Sequence, residues 1–123
     1  MSPNPSEVIS NLYRLNGGEF DRRFAIMRTN LQIRLLEAIA DFPMNDIDDA
    51  IDSATKPLID AQVQSARRAR LTEEQRLDFE SRIDKLAADV VLTVRQVIDS
   101  GTPFSDRLSL RLRAARALGL PTE

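Results

Sequence analysis

The chain has 123 residues, with 17 Lys+Arg against 19 Asp+Glu, a net charge of −2, and neither cysteine nor histidine. That composition excludes disulfides, thiol nucleophiles, and the commonest general base and transition-metal ligand. With 42% hydrophobic residues, 5% aromatic residues and four glycines, the expected fold class is all-α: one domain over residues 1–123, a helical bundle of four to five helices with a core of Leu, Ile, Val and Ala.

The first helix is expected over residues 5–15. Asn4 supplies a cap, Pro5 suits the first helical position, and Glu7 favours the positive helix end. Val8, Leu12 and Leu15 repeat at helical spacing, and Asn16-Gly17-Gly18 stops the run. The N-terminal stretch MSPNPSEVIS has no basic n-region and no apolar h-region, so no secretory signal is expected.

The second helix is expected from Glu19 to Asp41, ended by Pro43. Phe20, Phe24, Met27, Leu31, Leu35, Ala38 and Phe42 step by three or four and form one buried stripe. Ile26 and Ile33 lie seven apart on nearly the opposite side, with Leu36 beside them. A helix apolar on two sides is either sandwiched inside its own bundle or carries an association seam. Ile26, Ile33 and Leu36 are therefore the candidate association face.

A third helical region is expected over residues 45–70, with Asn45 as cap and with Ile47, Ala50, Ile51, Ala54, Leu58 and Ala61 on one face. Pro57 should break or kink it, because proline lacks the backbone donor and disfavours helix at Lys56. The segment is acidic at its start, at Asp46, Asp48, Asp49 and Asp52, and basic at its end, at Arg67, Arg68 and Arg70. The helix dipole alone accounts for part of that order. NDIDDAID does not fit a calcium loop: Ala50, Ile51 and Pro57 stand where a ligand, the central glycine and the late glutamate are required.

The fourth helix is expected over residues 73–100. Thr72-Glu73-Glu74-Gln75 reads as a capping box, and Phe79, Ile83, Leu86, Val90, Val94 and Val97 form its core stripe. On the other face Asp78 and Arg82 are spaced to pair. Gly101 ends this helix and Thr102-Pro103 starts the last one, with threonine as cap; Gly119 and Pro121 stop it. On a helical wheel Phe104, Leu108, Leu112, Ala115 and Leu118 make the core arc of that last helix. Arg107 and Arg111 border one side of the arc, and Arg113 and Arg116 lie on the other.

No segment approaches the roughly 18–20 apolar residues of a membrane span. The expected location is cytoplasmic, without membrane partner, small-molecule substrate, cofactor or metal. No acid lies within an apolar stripe, and Ser and Thr lack a histidine base, so no enzymatic activity is expected. Arginine dominates the basic residues, lysine occurring only at Lys56 and Lys85. A high-GC genome produces such a bias; so does selection for fork-shaped contacts to phosphate or carboxylate. ARRAR at 66–70 and RLSLRLRAAR at 107–116 offer such forks at Arg67, Arg68, Arg70, Arg107, Arg111, Arg113 and Arg116. Solvated arginines, or arginines paired with the Asp-rich third helix, explain the same clusters without a ligand, and a net −2 argues against a generic nucleic-acid binder.

In size, helix content, lack of catalytic residue types and these two arginine clusters, the chain resembles the small all-helical subunits of multi-subunit CRISPR ribonucleoprotein effector complexes. The likeness is one of architecture and composition, not of an alignable stretch. It implies a non-catalytic bundle, present in several copies, that touches its protein neighbours and guides nucleic acid with scattered arginines. Two readings of function follow. One is a non-enzymatic subunit of a ribonucleoprotein, its arginines contacting RNA or single-stranded DNA backbone or neighbouring subunits. The other is a protein–protein interaction module, self- or hetero-associating, such as a mobile-element adaptor or inhibitor, with no nucleic-acid contact.

Overall fold

The computed structural model describes residues 4–122, which fold as five helices packed into an all-α bundle: α1 (Pro5–Leu12), α2 (Gly17–Asp41), α3 (Ile47–Arg68), α4 (Glu73–Asp99) and α5 (Arg107–Ala117). No strand occurs among the described residues. α2 touches every other helix, and α4 touches α2, α3 and α5. These two long helices are the spine, as the length of their apolar stripes requires.

Every helix but α2 starts under a side-chain cap. The Asn4 side chain accepts from the Ser6 N–H at 2.8 Å, and Pro5 occupies the first turn, where its missing donor costs nothing. Thr72 and Gln75 close the capping box reciprocally, at 3.1 and 3.0 Å. α3 is capped by Asp46, not Asn45: the Asp46 carboxylate accepts from the Asp49 N–H at 3.1 Å. α3 also runs unbroken through Pro57. The Ser53 carbonyl loses its helical donor there, but Ser53 and Pro57 are exposed, so water can satisfy that oxygen. Buried Ile51 and Ala54 before the proline, and Ala66 after it, hold both halves to one core.

The core draws on all five helices. Ile9, Leu35, Ile39, Ile51, Phe79 and Leu110 are among its fully enclosed side chains. The α4 stripe is as expected from Phe79 to Val94, with Val97 half-buried. In α1 the inward residues are Ile9 and Leu12, while Val8 is exposed. In α2 Ile39 joins the stripe, and Gln32 is buried with its amide nitrogen donating to the Leu86 carbonyl at 3.2 Å. That bond lets a polar side chain sit between the two spine helices without an unsatisfied group.

The last helix departs most from expectation. α4 ends with Gly101 at φ 112°, where the Gly101 N–H donates to the Ile98 carbonyl and the Thr102 N–H to the Val97 carbonyl. This is a Schellman closure, and it takes Thr102 as its final member and buries it. Thr102 therefore cannot cap the next helix. α5 starts four residues later than Pro103, under Asp106, whose side chain accepts from the Ser109 N–H. The core register moves with that start. Leu110, Ala114 and Ala115 are buried, whereas Leu108, expected inside, is 61% exposed. A second Schellman closure ends α5: the Leu120 N–H donates to the Ala115 carbonyl at 2.8 Å and Gly119 sits at φ 73°. Leu120 is drawn into the core by it.

Candidate functional site

The arginines of α5 do not share one surface. The Arg107 guanidinium lies 3.9 Å from the Phe104 ring centroid and donates to the carbonyls of Ala40 (3.2 Å), Phe42 (2.6 Å) and Met44 (2.7 Å). Those oxygens lie at and just beyond the C-terminus of α2, where a helix leaves carbonyls without intrahelical partners. α2 has no basic residue in its own last turn, so Arg107 supplies the positive charge favoured at that end. Its fork is thus engaged within the fold. Arg111 is half-buried beside it, Arg113 donates to the buried Thr102 hydroxyl at 2.8 Å, and Arg116 is exposed. None of the four forms an ion pair among the described residues; the Asp-rich start of α3 instead pairs through Asp48 with Arg95 of α4.

Arg67 and Arg68 stand exposed in the last turn of α3, and Arg70 just beyond it. The Arg70 backbone N–H donates to the Ser10 hydroxyl at 2.9 Å, and that hydroxyl donates to the Ser6 carbonyl at 2.8 Å. The tie brings Arg68 and Arg70 beside Arg14 at a cleft of about 330 Å³ whose single acid is Glu7. Arg14 was not singled out from sequence, because a contact between residues nearly sixty apart leaves no local signal.

The candidate association face divides. Leu36 is 3% exposed and belongs to the core, and Ile33 is half-buried and packs against it. α2 is enclosed over a wide arc because α3, α4 and α5 all lean on it, so residues beside the expected stripe are covered as well. Ile26 alone of the three is exposed, at 55%. It lies in a groove of about 520 Å³ together with Val8 and Leu15 of the α1 region and Met27 of α2. Arg23 and Arg34 are the charged residues of that groove, and Asn11, Asn30 and Gln62 complete its polar edge. Beyond Arg34 a second depression of about 510 Å³ follows α2 against α3, with Glu37, Asp41 and Ala38 on one wall and Leu58 and Pro57 on the other. Arg34 lines both, so the two form one trough along the outside of α2. The signal for its charged groups lay in spacing: Arg34, Glu37 and Asp41 follow Arg23 by 11, 14 and 18 residues, which places all four within roughly 60° of one helix face.

One titratable cluster had no sequence expectation beyond the pairing of Asp78 with Arg82. The Tyr13 hydroxyl donates to Asp78 Oδ2 at 2.6 Å, and Arg82 Nε donates to the same oxygen at 2.8 Å. The Arg82 guanidinium also lies about 5 Å from the rings of Phe20 and Phe24 (4.9 and 5.3 Å). Burial on its own would raise the Asp78 carboxyl, but the two hydrogen bonds and the Arg82 charge outweigh it and hold Asp78 below the usual carboxylate range. Burial first, then the Asp78 carboxylate, push the Tyr13 phenol well above its ordinary value. Tyr13 and Arg82 converge on one oxygen of Asp78, and the evident effect is to fasten the end of α1 to α4.

Among the described residues no group of three or more acids converges as a metal site, and the acidic run of α3 has two of its carboxylates engaged, Asp46 in capping and Asp48 with Arg95. No helix of the described residues is long and apolar enough to cross a membrane. Comparison with protein-family models, with curated proteins and with solved structures found no match to this chain.

Proposed function

We propose that this chain is a non-enzymatic helical subunit that acts by binding another protein chain through the trough along α2. The observation that carries this reading is Ile26. A large apolar side chain more than half exposed on the middle of a spine helix, in a groove with Val8, Leu15 and Met27, is apolar surface that a partner would cover. The arginines and asparagines at its edge give it the polar rim of a protein interface. The trough follows a 25-residue helix, a shape suited to a partner helix laid lengthwise with anchors at i, i+3 or i+4 and i+7. Ile26→Asp tests this. The tagged full-length chain, expressed in its own host, should lose its co-purifying protein partner on this substitution while its melting temperature holds. Identical partners in wild type and variant would contradict the reading.

A second reading has its own observation. Arg14, Arg68 and Arg70 around one cleft, with Arg67 nearby and no ion pair on any of them among the described residues, form a basic patch suited to phosphate. It supports a ribonucleoprotein role of the kind the resemblance to small CRISPR subunits implies, with nucleic acid on the α3 end and protein on the α2 trough. Replacing Arg67, Arg68 and Arg70 by Ala should then weaken RNA or single-stranded DNA binding and flatten its salt dependence. Unchanged binding by the folded variant would remove this reading and leave the protein interface standing.

A further inference from the structure

The groove between α1 and α2 is basic, on a chain whose net charge is −2. Arg23 and Arg34 are its charged residues, and no acid among the described residues lines it. Asn11 lines both this groove and the cleft of Arg14, Arg68 and Arg70, so the two are continuous across α1. Five arginines therefore border one stretch of surface, all exposed and none in an ion pair among the described residues. Glu7, in the cleft, is the single acid against them. The other acids on this side of α2 stand outside the groove: Glu19 one turn before Arg23, and Glu37 and Asp41 one and two turns beyond Arg34. Val8, Leu15, Ile26 and Met27 give the groove apolar walls. We infer that its occupant is an acidic amphipathic helix of another protein, with its apolar stripe on those walls and its carboxylates on the arginines.

This inference rests on the proposed trough interface and names the chemistry of its partner. Arginine forks fit carboxylates and phosphates alike. The surface between the arginines decides between the two. A nucleic-acid backbone has nothing apolar to lay over Ile26 and Met27, and no aromatic side chain lines the groove or the cleft for a base to stack on. An amphipathic helix covers the apolar walls and meets the charges at once. Arg23 and Arg34 are 11 residues apart, three turns and about 16 Å along α2. A helix lying along α2 meets both with carboxylates at the same separation and sets its apolar residues between them, on Ile26. Acids on its other flank reach Arg14, Arg68 and Arg70 across α1. Glu37 and Asp41 bound the site, because they repel any acidic stretch that continues past Arg34.

Fluorescence anisotropy with the full-length chain tests the pairing, with circular dichroism to check each variant's fold. The probe is a labelled synthetic helical peptide of about 18 residues, with leucines at i, i+4, i+7 and i+11 and glutamates on both flanks. A matched peptide carries lysine in place of every glutamate. The glutamate peptide should bind at least about tenfold more tightly than the lysine peptide, and less tightly as salt rises. Arg23→Glu combined with Arg34→Glu should reverse that preference, and Ile26→Asp should weaken the glutamate peptide. Equal binding of the two peptides, or binding of neither, would overturn the acidic helix as occupant. If the co-purifying protein is still lost on Ile26→Asp, the trough then stands as an interface for a partner of other chemistry. A co-purifying protein retained by that variant, together with peptides that do not discriminate, overturns the trough and the acidic helix together. A single-stranded oligonucleotide that displaces the glutamate peptide and binds more tightly would overturn the inference in favour of nucleic acid.

Discussion

α2 and α4 are the two long helices of the bundle, and they treat their charges differently. On α4, Arg76 meets Glu73 and Glu80, Arg82 meets Asp78, and Arg95 reaches Asp48 of α3. On α2 no charged side chain has an ion-pair partner among the described residues, and a groove runs where its outer face meets α1 and α3. Exposed leucines do not separate the two helices, since Leu77 and Leu92 of α4 are as exposed as Ile26. Those leucines stand 15 residues apart along one helix, whereas Ile26 lies in a groove with apolar neighbours from another helix. Isolated exposed apolar residues are ordinary; a grouped set in a groove is not. The difference is that α4 pairs several of its charges within its own chain, while α2 leaves its charges unpaired beside a groove with apolar walls.

The sharpest contrast is in stability. Phe79→Ala removes a fully buried ring from α4 and should cost about 3–5 kcal/mol in denaturant unfolding. A loss below about 1 kcal/mol would mean that the α4 stripe is not the centre of the core. Next in size is Arg107→Ala. It strips the end of α2 of three charge-assisted hydrogen bonds, and should cost about 1.5–3 kcal/mol by the same measurement. Arg116→Ala on the exposed side of α5 should stay within about 0.5 kcal/mol.

Tyr13→Phe should cost about 1 kcal/mol, because it deletes one half-buried hydrogen bond between α1 and α4. It should also change the pH dependence. Asp78 titrates lower in the folded chain than in the unfolded one, so its contribution is present above the unfolded carboxyl value and is lost as pH falls through the folded one. Removing the Tyr13 hydroxyl narrows that gap, so the variant should lose less stability on acidification below about pH 4. Tyr13 titrates higher when folded, so its contribution holds below the unfolded phenol value and fades in stronger alkali; the variant should lack that alkaline limb. As small as Arg116→Ala is Ile26→Asp, expected to change unfolding free energy by no more than about 0.5 kcal/mol because the side chain is more than half exposed. A large loss would place Ile26 in the core and end the contrast between the helices.

Where structure is set by neighbours in sequence, it was legible. The Thr72–Gln75 box and the stripe from Phe79 to Val94 specify α4 without outside help. Asn4 and Pro5 do the same for the start of α1. Thr102-Pro103 misled because a threonine before proline is a good helix start in isolation, yet the glycine closure of α4 had already claimed and buried that threonine. The register of α5 followed that error. Pro57 misled in the opposite sense: its cost is local, and tertiary packing on either side of it outweighs that cost. Of the candidate site, Ile26 was legible as an apolar residue opposite the stripe. Leu36 was misplaced because the width of the buried arc depends on how many helices surround α2. The role of Arg107 was invisible for a simpler reason, since the carbonyls it binds lie more than sixty residues away.

The most direct test of the claim that α2, and not α4, presents the binding face is a residue-by-residue record of association. Backbone amide chemical shifts of the full-length chain, followed by NMR with and without the protein that co-purifies with it, report where the partner lands. The expected result is a set of partner-dependent shifts centred on Ile26, Asn30 and Arg34 of α2 and on the facing residues Val8 and Gln62. Leu77 and Leu92 should stay unmoved. Shifts centred on Leu77 and Leu92, or none anywhere on α2, would contradict it.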